Sequence, residues 1–89
     1  MRRTPGKFTA PVVQRILDAK RRCETDGAAA QAGGIDRTTL AKWLARGRYG
    51  YEPYASFFAA FRRADRDGAE AMRAALREAV APFHSARRS

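Results

Sequence analysis

Eighty-nine residues carry 18 Lys and Arg against 9 Asp and Glu, a net charge of +9, with 45% hydrophobic residues. A chain of this size holds one small domain whose core needs reinforcement, for instance by oligomerisation, and so large an apolar share excludes a disordered basic tail. The charge selects for a polyanionic partner (DNA, RNA or anionic lipid), and no apolar run approaches the length of a membrane span.

Residues 1–7 read as a basic arm, with Arg2, Arg3 and Lys7 around Thr4-Pro5-Gly6 and no apolar stretch that would make it a secretory signal. Two uses are open to it. One is a minor-groove or phosphate contact through Arg2, Arg3 and Lys7; the other, favoured, is a solvated terminus. Helix 1 is expected to start after Thr9 as N-cap, with Phe8 and Val13 spaced as a hydrophobic staple and Pro11 in the first turn. Val13, Ile16 and Leu17 form its apolar stripe, and Lys20, Arg21 and Arg22 sit where cations suit the helix dipole. Cys23, the single cysteine, has no partner for a disulfide or a zinc site, reads as a small buried residue, and fits a reducing, cytoplasmic setting.

Helix 2 is capped by Thr25 or Asp26 and runs to about Ala32 through a turn of alanines. Gly33-Gly34 breaks it, Ile35 plugs the core, and Asp36 caps helix 3 by accepting the amide hydrogens of Thr38 or Thr39. Leu40, Trp43 and Leu44 follow the i, i+3, i+4 pattern, so helix 3 has an inner side, and it is expected to end at Gly47. Two short helices joined at a glycine turn outline a helix-turn-helix. The other side of helix 3 carries Arg37, Thr38, Ala41, Lys42 and Ala45: basic, slim and free of acids, as a helix entering the DNA major groove must be. Arg46, Arg48, Tyr49 and Tyr51 lie just beyond. They can contact phosphates, or the tyrosines can wrap the core edge with their hydroxyls in water.

Helix 4 is expected to restart with Pro53 at its first position and to run uninterrupted to Ala81, about 43 Å. Tyr54, Phe57, Phe58 and Phe61 close the core. Gly68 marks a possible bend. Met72, Leu76, Val80 and Phe83 form a second apolar stripe beyond the reach of that core, which points to a self-association seam, the alternative being a helix folded back at Gly68. Pro82 is expected to end the helix before a basic tail. The fold class is therefore all-α, a three-helix helix-turn-helix domain followed by a long C-terminal helix. Its organisation is an arm at 1–7, the domain at 8–66, an oligomerisation extension at 67–83 and a tail at 84–89.

The pieces AAAQAGGIDRTTLAKWL, then RG, then YASFFAAFRRAD resemble the homeodomain-like helix-turn-helix of phage terminase small subunits, and related domains of transposases and phage regulators, over roughly residues 8–66. The resemblance implies double-stranded DNA binding through Arg37, Thr38, Ala41 and Lys42, recognition of a packaging site on viral DNA, ring assembly through the following helices, and a large terminase subunit as partner. Phage or prophage transcription control and excision use the same helix in the same groove. A helical protein-interaction adaptor is the reading from another class.

Catalysis has little support. His84 stands in a basic tail with no nucleophile at a motif spacing, and no phosphate loop, H-E-x-x-H or C-x-x-C is present, so neither an enzyme nor a cofactor or metal is expected. Asp65, Asp67 and Glu70 interleave with Arg62, Arg63 and Arg66, and Arg63–Asp67 is spaced as an i, i+4 ion pair on a solvated face.

Overall fold

The computed structural model describes residues 8–88, the side chains through Val80. Four helices follow one another, with no strand among the described residues: α1 (Ala10–Arg21), α2 (Asp26–Gly33), α3 (Arg37–Arg48) and α4 (Tyr54–Arg88). The fold is all-α, three short helices packed on the first half of a long one. Helix α1 lies against α2 and α4, and α3 lies against α4 and α2.

The first three helices start at the expected positions, and α4 starts one residue later than expected. Thr25 caps α2, its hydroxyl accepting from the Ala28 N–H at 3.1 Å. Thr9 and Asp36 hold the N-cap positions of α1 and α3 in extended backbone, yet neither side chain makes a capping bond. Asp36 contributes only its carbonyl, which accepts from the Leu40 N–H. Pro53 lies just outside α4 rather than at its first position. Glu52 supplies the acceptor instead, its carboxylate taking the Ser56 N–H and hydroxyl at 3.1 Å each.

The helix ends share one device. A left-handed residue closes each of the three short helices: Cys23 (φ 64°), Gly34 (φ 79°) and Gly50 (φ 93°). Around each, paired 6→1 and 5→2 backbone bonds satisfy carbonyls of the last turn. They run from Glu24 to Ala19 and Cys23 to Lys20, from Ile35 to Ala30 and Gly34 to Gln31, and from Tyr51 to Arg46 and Gly50 to Gly47. So α3 does not end at Gly47; it runs on to Arg48 and turns at Gly50. Gly47 sits inside α3 for another reason: a Cβ there would fall on the Tyr54 carbonyl and within 2.5 Å of the Phe58 Cβ, so its absence lets α3 seat on α4. Cys23, expected to be buried, is exposed, because its backbone position at the end of α1 turns the side chain out of the core.

Gly68 is likewise not a bend. Helix α4 continues through it, and a Cβ at 68 would fall on the Lys20 carbonyl oxygen, so the residue is the bare patch on which the end of α1 rests. The folded-back alternative is thereby excluded. Nor does Pro82 end the helix: the backbone stays helical through it to Arg88.

The core gathers Ile16, Leu17 and Ala19 from α1, Ala29 and Ala30 from α2, Ile35, Leu40 and Trp43 around α3, and Phe57, Phe61 and Ala64 from α4. Phe8, expected to staple onto Val13, is drawn into an aromatic cluster. Its ring meets Trp43 edge-on at 4.8 Å, Tyr54 at 4.7 Å and Phe57 edge-on at 5.7 Å, geometries that the ring quadrupoles favour. Phe58 is only half-buried, at the edge of the core beneath the Arg62 guanidinium.

Lys20 is the buried charge of the domain. Its ammonium contacts the Asp26 carboxylate at 2.9 Å, the Asp65 carboxylate at 3.1 Å and the Glu24 carbonyl at 2.8 Å, and stands 5.5 Å from the Phe61 ring centroid. It thereby joins α1, α2 and α4. Asp65 pairs with Lys20, and no ion pair forms between Arg63 and Asp67 among the described residues. Burial disfavours the ammonium, but the hydrogen bonds and charges of Asp26 and Asp65 outweigh it and hold the pKa above its ordinary 10.5. A raised folded-state pKa means the stabilisation is fully present below the unfolded value and is lost as pH rises through the folded one. Lys20→Met is therefore expected to lower stability by about 1–3 kcal/mol between about pH 6 and 9. In paired denaturant titrations the gap between variant and parent should close only above about pH 10.5.

Candidate nucleic-acid interface

Helix α3 is held from behind and bare in front. Leu40, Trp43 and Gly47 are buried and Leu44 is half-buried, whereas Arg37, Thr38, Ala41, Lys42, Ala45, Arg46 and Arg48 are all exposed. At about 100° per residue the exposed set is not uniform. Thr38, Ala41, Lys42 and Ala45 stand opposite the buried side. Arg37 and Arg48, eleven residues apart and nearly in register, border one edge of that face, and Arg46 borders the other. The four cations of α3 are thus spread around and along the face, and no acid lies within the helix.

Each edge is shaped by its neighbours. The Arg37 stem runs past Gly27 at the start of α2, and Arg37, Ala41, Leu44 and Asp26 line a small cleft between α2 and α3. The one acid in that cleft, Asp26, has its carboxylate on Lys20. On the other edge the Arg46 guanidinium lies 5.4 Å from the Tyr54 ring centroid, so part of its reach is spent on a cation–π contact. Arg48 forms no salt bridge among the described residues.

Tyr49 and Tyr51 do not wrap the core edge: they are 80% and 65% exposed. Because α3 reaches Arg48 and Tyr49 keeps helical backbone angles, Tyr49 falls in line with Thr38, Lys42 and Ala45. That alignment is hidden in the sequence if Gly47 is taken as the helix end. The i, i+4, i+7, i+11 spacing of 38, 42, 45 and 49 is the signal that carries it.

The arm residues Arg2, Arg3 and Lys7 lie outside the described residues. On α4, Met72, Leu76 and Val80 are 45%, 57% and 41% exposed, and from Ala71 to Val80 every residue is exposed. The side chain of Phe83 lies outside the described ones. Among the described residues, no group of three or more His, Cys, Asp or Glu is placed to hold a metal ion, and no helix is long and apolar enough to cross a membrane. Comparison with protein-family models, curated proteins and solved structures finds no match.

The division of α3 into a packed and a bare side has a direct consequence for stability. Trp43→Ala is expected to cost about 3–5 kcal/mol by emptying the centre of the aromatic cluster. Thr38→Ala and Lys42→Ala should each stay within about 0.5 kcal/mol of the parent in denaturant unfolding.

Proposed function

We propose that this protein binds double-stranded DNA by laying α3 in the major groove. One observation carries the reading: a rigidly backed helix presents an acid-free outer face of small residues, Thr38, Ala41 and Ala45, with Lys42 among them and Arg37, Arg46 and Arg48 at its borders. Small side chains allow the helix backbone to approach the base edges. Lys42 and Arg37 supply donors for guanine, Thr38 a hydroxyl for either strand, and Arg46 and Arg48 face the phosphates. Within this reading, the resemblance to phage terminase small subunits favours recognition of a DNA packaging site, with a large terminase subunit as a further partner.

The Arg37/Thr38/Lys42 triple alanine variant tests the groove contact. Binding to a duplex selected from a random pool should fall by about 1–3 kcal/mol for each base-reading side chain removed, while the fold persists. Undiminished affinity of the triple variant for the selected site would overturn the assignment.

A second copy of the chain is part of the proposal. One small helix-turn-helix reads few base pairs, so useful specificity calls for a symmetric partner on a second half-site. Met72, Leu76 and Val80, with Phe83 in the same register, form an apolar stripe on the half of α4 that its own domain does not cover. The same stripe suits the adaptor reading, in which the protein partner is primary and DNA incidental. A salt titration separates them, because DNA affinity that rests on phosphate contacts falls linearly in log–log form with salt, and sedimentation tests the seam itself. The parent should associate at tens of micromolar, and charges at Leu76 and Val80 should yield a folded monomer with weakened cooperative DNA binding. A parent that is monomeric with and without DNA would rule out the seam.

A further inference from the structure

The turn that ends α3 carries two large side chains with no place in the fold. At the end of α2, the residue after the left-handed glycine is Ile35, which is 8% exposed and plugs the core. That is the usual service of this position, an apolar contact back to the last helical turn. At the end of α3 the equivalent residue is Tyr51, closed by the same pair of backbone bonds, and it stands 65% exposed; Tyr49, just before the glycine, is 80% exposed. The turn is nonetheless firmly built. Tyr51 donates to the Arg46 carbonyl at 3.1 Å and Gly50 to the Gly47 carbonyl at 3.0 Å. The adjacent acid, Glu52, is committed to Ser56 at the start of α4. Two tyrosines are thus presented on a fixed tip beside Arg48, with the nearby carboxylate engaged elsewhere.

We propose that Tyr49, Tyr51 and Arg48 form a phosphodiester-binding tip that grips the DNA backbone at the far wall of the groove. This rests on α3 being the groove helix. The length of α3 directs the choice of ligand. From Thr38 to Tyr49 the helix rises about 16 Å, whereas the major groove is about 12 Å wide. With Thr38 and Lys42 over the bases, the tip therefore lies over sugar and phosphate. Phenolic hydroxyls and a guanidinium are phosphate donors. Stacking on bases would require unpaired nucleotides, which a duplex does not offer.

The test compares Tyr49→Phe, Tyr51→Phe, the corresponding alanine variants and Arg48→Ala in the full chain, on a selected duplex, a random duplex and a single strand across a salt series. Each phenylalanine variant should weaken duplex binding about three- to tenfold. The loss should be equal on selected and random duplexes, with the log–log salt slope unchanged because a hydroxyl displaces no counterion. Arg48→Ala should weaken binding and reduce the slope by about 0.9. Both tyrosines are largely in solvent, so the fold is expected to survive, as circular dichroism would verify. Full affinity of both phenylalanine variants overturns the proposal. So does a loss seen only with alanine and chiefly on single strands, which would mean stacking, or a loss confined to the selected duplex, which would mean base reading. If the Arg37/Thr38/Lys42 variant loses binding while the phenylalanine variants do not, the tip alone fails. If the parent binds no duplex at all, both readings fail.

Discussion

The domain is organised around one buried ammonium. Lys20 sits at the end of α1, where its backbone carbonyl rests on bare Gly68 and its side chain folds inward to Asp26 of α2 and Asp65 of α4. The two carboxylates are half in solvent, so the pair is not isolated in a dry interior, and the lysine bears most of the desolvation. Replacing the whole ion-paired group by apolar side chains would change stability little, whereas removing the lysine alone leaves two neighbouring carboxylates without their counter-charge. In the arrangement of α1, α2 and α4 both acids reach the ammonium while Ile16, Leu40 and Phe61 close the core. Lys20 also neutralises Asp26, the acid nearest the α2–α3 cleft, and so keeps that border of α3 from presenting an unpaired negative charge.

Rigidity in the rest of the small domain comes from how the helices end and how closely they approach. Three left-handed residues stop three helices with the same hydrogen-bond pair, which leaves the connections short and their backbone groups satisfied. Gly47 and Gly68 bring α3 and α1 into backbone contact with α4. The result is a platform on which α3 cannot rotate without lifting Trp43 from its ring of aromatic neighbours. For the proposed DNA contact that fixity would count, since side chains held in one orientation lose less entropy on binding.

Helix α4 divides its labour along its length. Its first four turns are core, closed by Phe57, Phe61 and Ala64, and the helix then leaves the domain at Gly68 with a second apolar stripe, Met72, Leu76 and Val80, turned about a quarter of the way round from the core face. The helix is continuous through Gly68.

Much of this was legible in the sequence, because periodicity and caps are local. The four helices, the roles of Thr25, Gly34 and Ile35, the inner side of α3 and the exposed stripe of α4 follow from spacings of a few residues. What local pattern does not carry is which of several similar residues meets a distant part of the chain. Gly34 and Gly50 end helices whereas Gly47 and Gly68 lie inside them, and the four look alike until the carbonyls of Tyr54 and Lys20 are in place. Lys20, Arg21 and Arg22 are three cations at one helix end. Only the packing of α4, which brings Phe61 and Asp65 from more than forty residues later in the chain, covers the first of them and leaves the others in solvent. The extent of α3, and with it the place of Tyr49 on its outer face, depends on Gly47 being a contact rather than a stop. Sequence alone determined the helices and the character of their faces, which are set by short-range propensity and amphipathic spacing. The tertiary structure decided which charge is buried, which glycine is a seat and where the outer face of α3 ends, since those outcomes depend on contacts between residues far apart in the chain.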